Sequence, residues 1–391
     1  MILVDVVLVA VLLIALIVGA QRGLVASAGT LLGLIVGGIA AYWIAPVVND
    51  SWPWQQWRPL VVVALVLPLL ALGGAVGGAI GAAVRRGVDR AVPLRVVDRL
   101  LGAVASVVVA ALAISVVGSS VAATGGPILA PAVASSQVLR TIDRVMPPPV
   151  AEALAQLRSV VLDDALPAFG DLLDGTTAPS EPPVDLADPE LARAAASVVR
   201  VSGTAYACGT SSTGTGFVIA PDRVVTNAHV VAGVDAPIVE VPGGEAREGR
   251  IVAFDPGGDL AVIAVEDLGA PPLPLGPTLA PGSAAVVQGY PYGGPFTQIN
   301  ADVLSVGTVG IPDIYDRGRA PREIYSLRAA VRPGNSGGPL LTADGTVAGL
   351  VFARGENDDT RGYAITMAEL DPLAATAPTL SQRVSSGDCT G

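Results

Sequence analysis

Arg332-Pro333-Gly334-Asn335-Ser336-Gly337-Gly338-Pro339-Leu340 sets one serine among glycines. Glycine tolerates positive φ and lets another backbone come close, so such a stretch can form a tight turn that exposes the hydroxyl. The same turn aims the N–H groups of Gly334, Asn335 and Ser336 into one small space, which is what an oxyanion hole requires. Gly334 and Ser336 are the stronger donors of the three. A serine hydroxyl is a poor nucleophile unaided; it needs a base, normally histidine, and a carboxylate to orient that base. On its own the string equally describes a glycine turn between strands, so the rest of the chain has to decide.

The chain has one histidine, and it lies in Thr226-Asn227-Ala228-His229-Val230-Val231. Further on, Asp255-Pro256-Gly257-Gly258-Asp259-Leu260-Ala261-Val262-Ile263 places an aspartate at the head of an apolar, strand-like run, with Asp255 as a nearby rival. The order His229, Asp259, Ser336 is the chymotrypsin-type order, not that of subtilisin or the α/β-hydrolases. The strings TNAHVV, DLAVI and GNSGGPL resemble the three catalytic blocks of the HtrA/Deg group of trypsin-like serine proteases. That resemblance implies an all-β chymotrypsin-like double β-barrel with His229, Asp259 and Ser336 as catalytic residues, an oxyanion hole at Gly334, Asn335 and Ser336, and no metal or cofactor. It implies a specificity pocket floored just before the nucleophile and walled by the strand after it, at Ala330, Val331, Val351 and Phe352. No acidic residue occupies Arg328–Val331 or Gly349–Ala353, so small or medium apolar side chains are expected there rather than Arg or Lys. After Val384 few residues follow, and the PDZ module common in that group is not expected.

The 391 residues suggest about two or three domains. Hydrophobic residues make up 51% and charged ones only 15%, with a mean hydropathy of +0.60; membrane spans account for such an excess. A net charge of -11 argues against a nucleic-acid partner, since phosphate binding needs a basic face. The two cysteines, Cys208 and Cys389, have no metal or redox spacing. They form either one bridge closing a long loop or two separate buried thiols.

Four apolar runs read as transmembrane helices: Ile2 to Ala20, Leu24 to Val48, Leu60 to Val84 and Leu100 to Ala123. Gly29, Gly33 and Gly37, and again Gly73, Gly77 and Gly81, recur at a spacing that lets helices pack closely. Pro68 is placed to kink the third run. Arg22 lies after the first run, and Arg85, Arg86, Arg90, Arg95 and Arg99 between the third and fourth, against Arg58 alone between the second and third. The positive-inside rule then puts both termini outside, with Trp43, Trp52, Trp54 and Trp57 at the outer interface. An extracytoplasmic location in turn favours the Cys208–Cys389 bridge. The spans are similar to the colicin V production (CvpA) family through Asp5, Gly19-Ala20-Gln21-Arg22-Gly23 and Asp98-Arg99-Leu100-Leu101-Gly102.

Between Ala130 and Leu173 apolar positions at helical spacing predict two amphipathic helices broken at Pro147-Pro148-Pro149. Thr176 to Pro183 is a proline-rich linker open to self-cleavage. The domains expected are therefore 1–125, an all-α membrane domain of four helices; 126–190, amphipathic helices and linker; and 191–391, the protease domain with two six-stranded barrels. The glycine-rich run from Gly209 to Gly216 lacks the Gly-Lys-Ser/Thr end of a phosphate loop and reads as a turn into a barrel strand. The whole arrangement resembles the MarP-like family of membrane-anchored acid-resistance serine proteases. It implies a membrane-embedded endopeptidase acting on protein or peptide substrates of the cell envelope, under acid or oxidative stress, with no nucleic-acid partner. A protonated His229 cannot act as base, so activity should fall in strong acid. The alternatives are a non-catalytic scaffold or sensor, and a transport function of the spans resting on Asp5.

Overall fold

The structure is a computed structural model, and it describes residues 2–51, 58–88, 92–123, 133, 136–147, 149–151, 154, 166–170, 172–173, 180–205 and 210–390. Trp52, Trp54, Trp57, Arg90 and Cys208 lie outside the described residues. Two compact units are present, Ile2–Ile114 and Ser115–Gly391.

The first unit is built from α1 (Ile2–Ser51), α2 (Arg58–Val88) and the larger part of α3 (Val92–Ala123). Val4–Gly37 and Val96–Ser115 are long and apolar enough to cross a bilayer, and Ala71–Val84 is a shorter apolar helix. Gly23 interrupts α1 at φ 76° and ψ 168°. A Cβ on Gly19 would meet Ser106, whose hydroxyl also lies 3.5 Å from that of Ser27. In an unbroken helix residues 19 and 27 would stand about 12 Å apart, so the chain reverses at Gly23. Asp98 accepts the Val25 N–H at 3.0 Å, one of the donors such a break leaves without a helical partner. The two strings that carried the CvpA resemblance therefore meet at this corner.

Between α1 and α2 the glycines form the expected seam. A Cβ on Gly77 would lie 2.8 Å from the Gly33 Cα, and one on Gly33 3.0 Å from the Gly77 Cα. Large side chains such as Leu13, Ile14, Leu32, Val36, Leu100 and Val104 point outward, an apolar belt suited to lipid.

In the second unit, α4 (Gln137–Val145) is capped by Ser136, whose hydroxyl accepts the Leu139 N–H, and it buries Leu139 and Ile142; the short α5 (Pro189–Ala195) follows, capped by Asp188. The second expected amphipathic helix does not reach Leu166–Gly170, which is extended and contributes β1 (Ala168–Phe169). Pro167 disfavours helix at Leu166 before it, and the edge of β13 (Val347–Gly355) is there to pair with.

Seven strands make the first β-layered body: β2 (Val198–Ala205), β3 (Thr210–Ala220), β4 (Arg223–Thr226), β5 (Ile238–Glu240), β6 (Ala246–Glu248), β7 (Arg250–Asp255) and β8 (Leu260–Ala264), in the order β6-β5-β2-β3-β4-β8-β7. The second comprises β9 (Ala284–Gly289), β10 (Thr297–Pro312), β11 (Arg319–Arg328), β12 (Pro339–Leu341), β13 and β14 (Arg361–Thr366). It closes on itself, because β13 pairs with both β12 and β14. Each body has its own apolar centre, Val201, Val224 and Ile263 in the first, Val287, Leu327 and Leu340 in the second. A third cluster joins Val198, Phe217 and Val262 to Ile311, Leu350 and Phe352, so the two bodies are held face to face by buried apolar surface.

The seam predicts that Gly77→Leu, forced against the α1 backbone, lowers the thermal midpoint of the detergent-solubilised helical unit by the equivalent of about 1–3 kcal/mol. Val76→Leu, at a position 51% exposed, should leave the midpoint unchanged in the same circular-dichroism melt.

Candidate active site

The site begins where β4 stops. Asn227, fully buried, follows Thr226, and α6 (Ala228–Val231) carries His229 on a single turn. The Asn227 amide donates to the Asp259 carbonyl at 2.8 Å, which fixes the end of the β7–β8 connection relative to that turn. Asp259 sits at φ 55°, a left-handed conformation that aspartate tolerates better than most residues. The rival Asp255 is committed elsewhere: its carboxylate takes the Gly257 and Gly258 N–H groups, each at 3.0 Å, and so shapes the turn.

Asp259 is 3% exposed, and its carboxylate faces the imidazole. Oδ2 lies 2.8 Å and Oδ1 3.0 Å from His229 Nδ1, and Oδ1 also accepts the His229 backbone N–H at 3.0 Å. A carboxylate can only accept, so Nδ1 is the donor in this pair, and in the neutral ring Nε2 then carries the lone pair. Nε2 is buried, with no hydrogen-bond partner among the described residues.

Ser336 comes from the other body, on the loop between β11 and β12. Gly334 at φ +89° and Gly337 at φ +82° make the turn, and neither has room for a Cβ, since the Tyr290–Gly293 backbone crowds the first and Thr215 and Thr226 the second. Thr215 of β3 fastens the loop from across the interface: its hydroxyl donates to the Gly334 carbonyl at 2.6 Å and its N–H to the Ser336 carbonyl at 2.8 Å. The Pro333 carbonyl accepts from the Tyr292 N–H at 2.5 Å. The Gly334 and Ser336 N–H groups meet no acceptor among the described residues. Asn335 does not share that freedom. Its N–H donates to the Arg332 carbonyl at 3.0 Å and its side chain accepts the Arg332 N–H, so of the three expected oxyanion donors Asn335 is already engaged in closing the turn.

His229, Asp259, Gly334 and Ser336 line one groove of about 640 Å3 together with Phe352 and Arg322. Among the described residues no hydrogen bond joins the Ser336 hydroxyl to His229 Nε2, a contact that often tightens only when substrate is bound. Arg322 is 2% exposed; its guanidinium donates to the Gly257 carbonyl and lies 5.6 Å from the Phe352 ring centre. Burial lowers its pKa, against the charges of Asp259, Glu369 and Asp255.

The expected specificity residues separate. Phe352 lines the groove, Val331 and Val351 point into the second body's core at 1% and 0% exposure, and Ala330 faces solvent while its neighbour Ala329 is buried. Consecutive residues in extended chain face opposite sides, so Ala330 and Val331, and likewise Val351 and Phe352, are turned apart within each pair. Cys389 is disulfide-bonded; the chain's other cysteine, Cys208, is outside the described residues. Thr215, Asn227, Tyr292 and Arg322 were not singled out in the sequence. Asn227 stands beside His229 inside a block already quoted, whereas the hydroxyl of Thr215 in a run of Gly, Ser and Thr carries no local signal.

Residues 214–350 match the trypsin-like peptidase domain family, and residues 4–147 match the colicin V production protein family. Over 307 residues the chain is 34% identical to serine protease Rv3671c of Mycobacterium tuberculosis (strain ATCC 25618 / H37Rv), covering 76% of each protein. The chain belongs to the MarP-like serine protease family. The crystal structure of the Rv3671c protease from M. tuberculosis in its active form is 37% identical, with a TM-score of 0.50, and matches 56% of this chain and 99% of that one. A probable periplasmic DegP-like serine endoprotease of Hahella chejuensis is 35% identical over 147 residues, 36% of this chain and 29% of that protein. This MarP-like chain is thus a serine protease with a trypsin-like β-barrel fold and an N-terminal helical region.

Because the Thr215 hydroxyl holds the Gly334 end of the turn that carries Ser336, Thr215→Val should lower kcat by roughly 10- to 100-fold with little change in KM, as loss of orientation does. Steady-state kinetics on a peptide substrate measure this; a wild-type kcat would show that the turn holds its shape unaided.

Proposed function

We propose that the chain is a membrane-anchored, extracytoplasmic serine endopeptidase in which Ser336 attacks the scissile carbonyl. His229 Nε2 takes the serine proton and then passes it to the departing amine, while Asp259 holds the ring and stabilises its charged form. The Gly334 and Ser336 N–H groups would receive the oxyanion. The observation that carries this is the meeting of the sole imidazole with Asp259, its free Nε2 in the same groove as Ser336 and two uncommitted N–H groups.

The reversal at Gly23 supports counting α1 as two spans, which gives four in all with α2 and α3. The arginine distribution then favours both termini and the protease domain on the periplasmic side, and the disulfide at Cys389 suits that compartment. The substrates would be proteins or peptides of the cell envelope, handled under acid or oxidative stress, as the MarP-like resemblance implies. One observation favours a second reading, a protease-like domain that binds without cutting: Ser336 is 2% exposed and its hydroxyl makes no bond to His229 among the described residues.

A fluorophosphonate probe separates the two. Covalent labelling of the full chain, abolished in Ser336→Ala and reduced at least about 10³-fold in His229→Ala, is expected of the peptidase; a chain that never labels belongs to the second reading.

A further inference from the structure

A second cavity, of about 260 Å3, lies away from the groove where α4 meets the first β-layered body, and Arg140, Asp143, Arg200, Glu240 and Tyr290 line it. α4 is held there from two sides. At the end of α3 the Ser115 hydroxyl donates to the Asp143 carboxylate at 2.9 Å, and a Cβ on Gly118 would lie 2.8 Å from a Leu139 methyl group. On the other side the Arg140 guanidinium donates to the Gly244 carbonyl at 3.1 Å and the Gly243 carbonyl at 3.4 Å. Those two glycines belong to the turn that joins β5 to β6.

Glu240, the last residue of β5, stands opposite Arg200 of β2. Their side chains pair through two bonds, Nε to Oε1 at 3.2 Å and Nη2 to Oε2 at 2.5 Å. Burial works against the charge on Arg200; the Glu240 carboxylate, and with a smaller share that of Asp143, outweigh it. The remaining amino group, Nη1, donates to the Gly293 carbonyl at 2.9 Å. Beside it Tyr292 stands at φ 56°, a conformation that a residue other than glycine keeps only where its surroundings over-determine it. The Tyr292 N–H holds the Pro333 carbonyl, and the Tyr290–Gly293 backbone crowds Gly334. Arg200 thus anchors the support against which Gly334 rests.

We propose that Arg200 is a positioning residue for the Gly334 and Ser336 N–H groups, and that α4, docked on the turn after Glu240, is the part of the chain that keeps Arg200 in place. A wet ion pair of long side chains holds its geometry poorly, because water and rotamer freedom compete with it. Under α4 the pair is shielded, with the Arg200 side chain 25% and the Glu240 side chain 14% exposed. If α4 leaves, the Gly243–Gly244 turn is released, water reaches the pair, and the hold on the Gly293 carbonyl slackens. The Gly334 N–H then loses its aim, while the groove itself keeps its walls. Donors aimed at the developing oxyanion act on the transition state, so the loss falls on kcat and not on KM.

The proposal rests on the peptidase function above, and the test keeps the two apart. Hydrolysis of an internally quenched peptide is measured for the full chain in detergent as the parent, Arg140→Ala, Arg200→Gln and the double variant. Arg200→Gln should lower kcat roughly 10- to 100-fold with KM nearly unchanged. Arg140→Ala should lower kcat about fivefold or more in the parent and cost nothing further in the Arg200→Gln background, as residues acting through one another do. If Arg200→Gln does not fold, Arg200→Lys, which keeps the charge but not the two-pronged geometry, takes its place and should retain only part of kcat. An unchanged kcat, or a raised KM at constant kcat, in the Arg200 variant overturns the positioning role. No effect of Arg140→Ala on the parent, or the same factor in both backgrounds, overturns the part given to α4. A parent chain that neither cuts the peptide nor labels with a fluorophosphonate counts against the peptidase function itself, and this inference falls with it.

Discussion

One carboxylate organises the site. Asp259 is buried, and an ionised carboxylate taken out of water is costly unless its oxygens are well paired. Here the partners are His229 Nδ1 and the His229 backbone N–H, so relieving the buried charge and aiming the imidazole are the same act. The left-handed φ of Asp259, the Asn227 bond to its carbonyl and the Asp255 carboxylate within the preceding turn all bring it to that place. Behind them, the fully apolar β8 and its pairing with β4 fix the distance between the two residues along the sheet.

Ser336 belongs to the other body, so its place relative to His229 is only as accurate as the meeting of the two bodies. Buried apolar contact supplies the bulk of that attachment, but it is not directional. Direction comes from a few polar ties: Thr215 to the Gly334 and Ser336 carbonyls, and Arg322 of β11 to the Gly257 carbonyl beside Asp259. Arg200 extends the same logic outward. Its guanidinium pairs with Glu240 and donates to the Gly293 carbonyl at 2.9 Å, next to the Tyr292 N–H that holds Pro333. Burial alone would lower its pKa, and the Glu240 charge and hydrogen bonds outweigh this and raise it.

Much of this was legible in the chain because the residues that meet in the groove stand in short strings. The single histidine left one candidate for the imidazole facing Asp259, and the apolar run after Asp259 marked a buried strand. Leu260–Ala264 stands as a strand where the run after Asp259 announced one. Arg361–Thr366 did not announce itself, since a strand buried on both faces loses its period-two alternation. Leu166–Gly170 was mistaken for helix because its apolar spacing is compatible with either, and the deciding partner, the β13 edge, lies far away in sequence. Of the four residues expected to wall the pocket, Phe352 lines the groove while Val331 and Val351 lie in the second body's core, a separation that needed the fold to see. In the helical unit the glycine spacing sufficed to find the seam, whereas the Asp98 bond at the Gly23 break needed the fold.

The central claim is that Ser336 and His229 act as one unit, and a double-mutant comparison tests it most directly. Peptide hydrolysis is measured for Ser336→Ala, His229→Ala and the double variant. If the residues act together, each single change costs several orders of magnitude in kcat and the double costs little more than either. Losses that multiply, so that the double variant falls by the product of the two single effects, would mean that the hydroxyl and the imidazole work separately and would contradict the account.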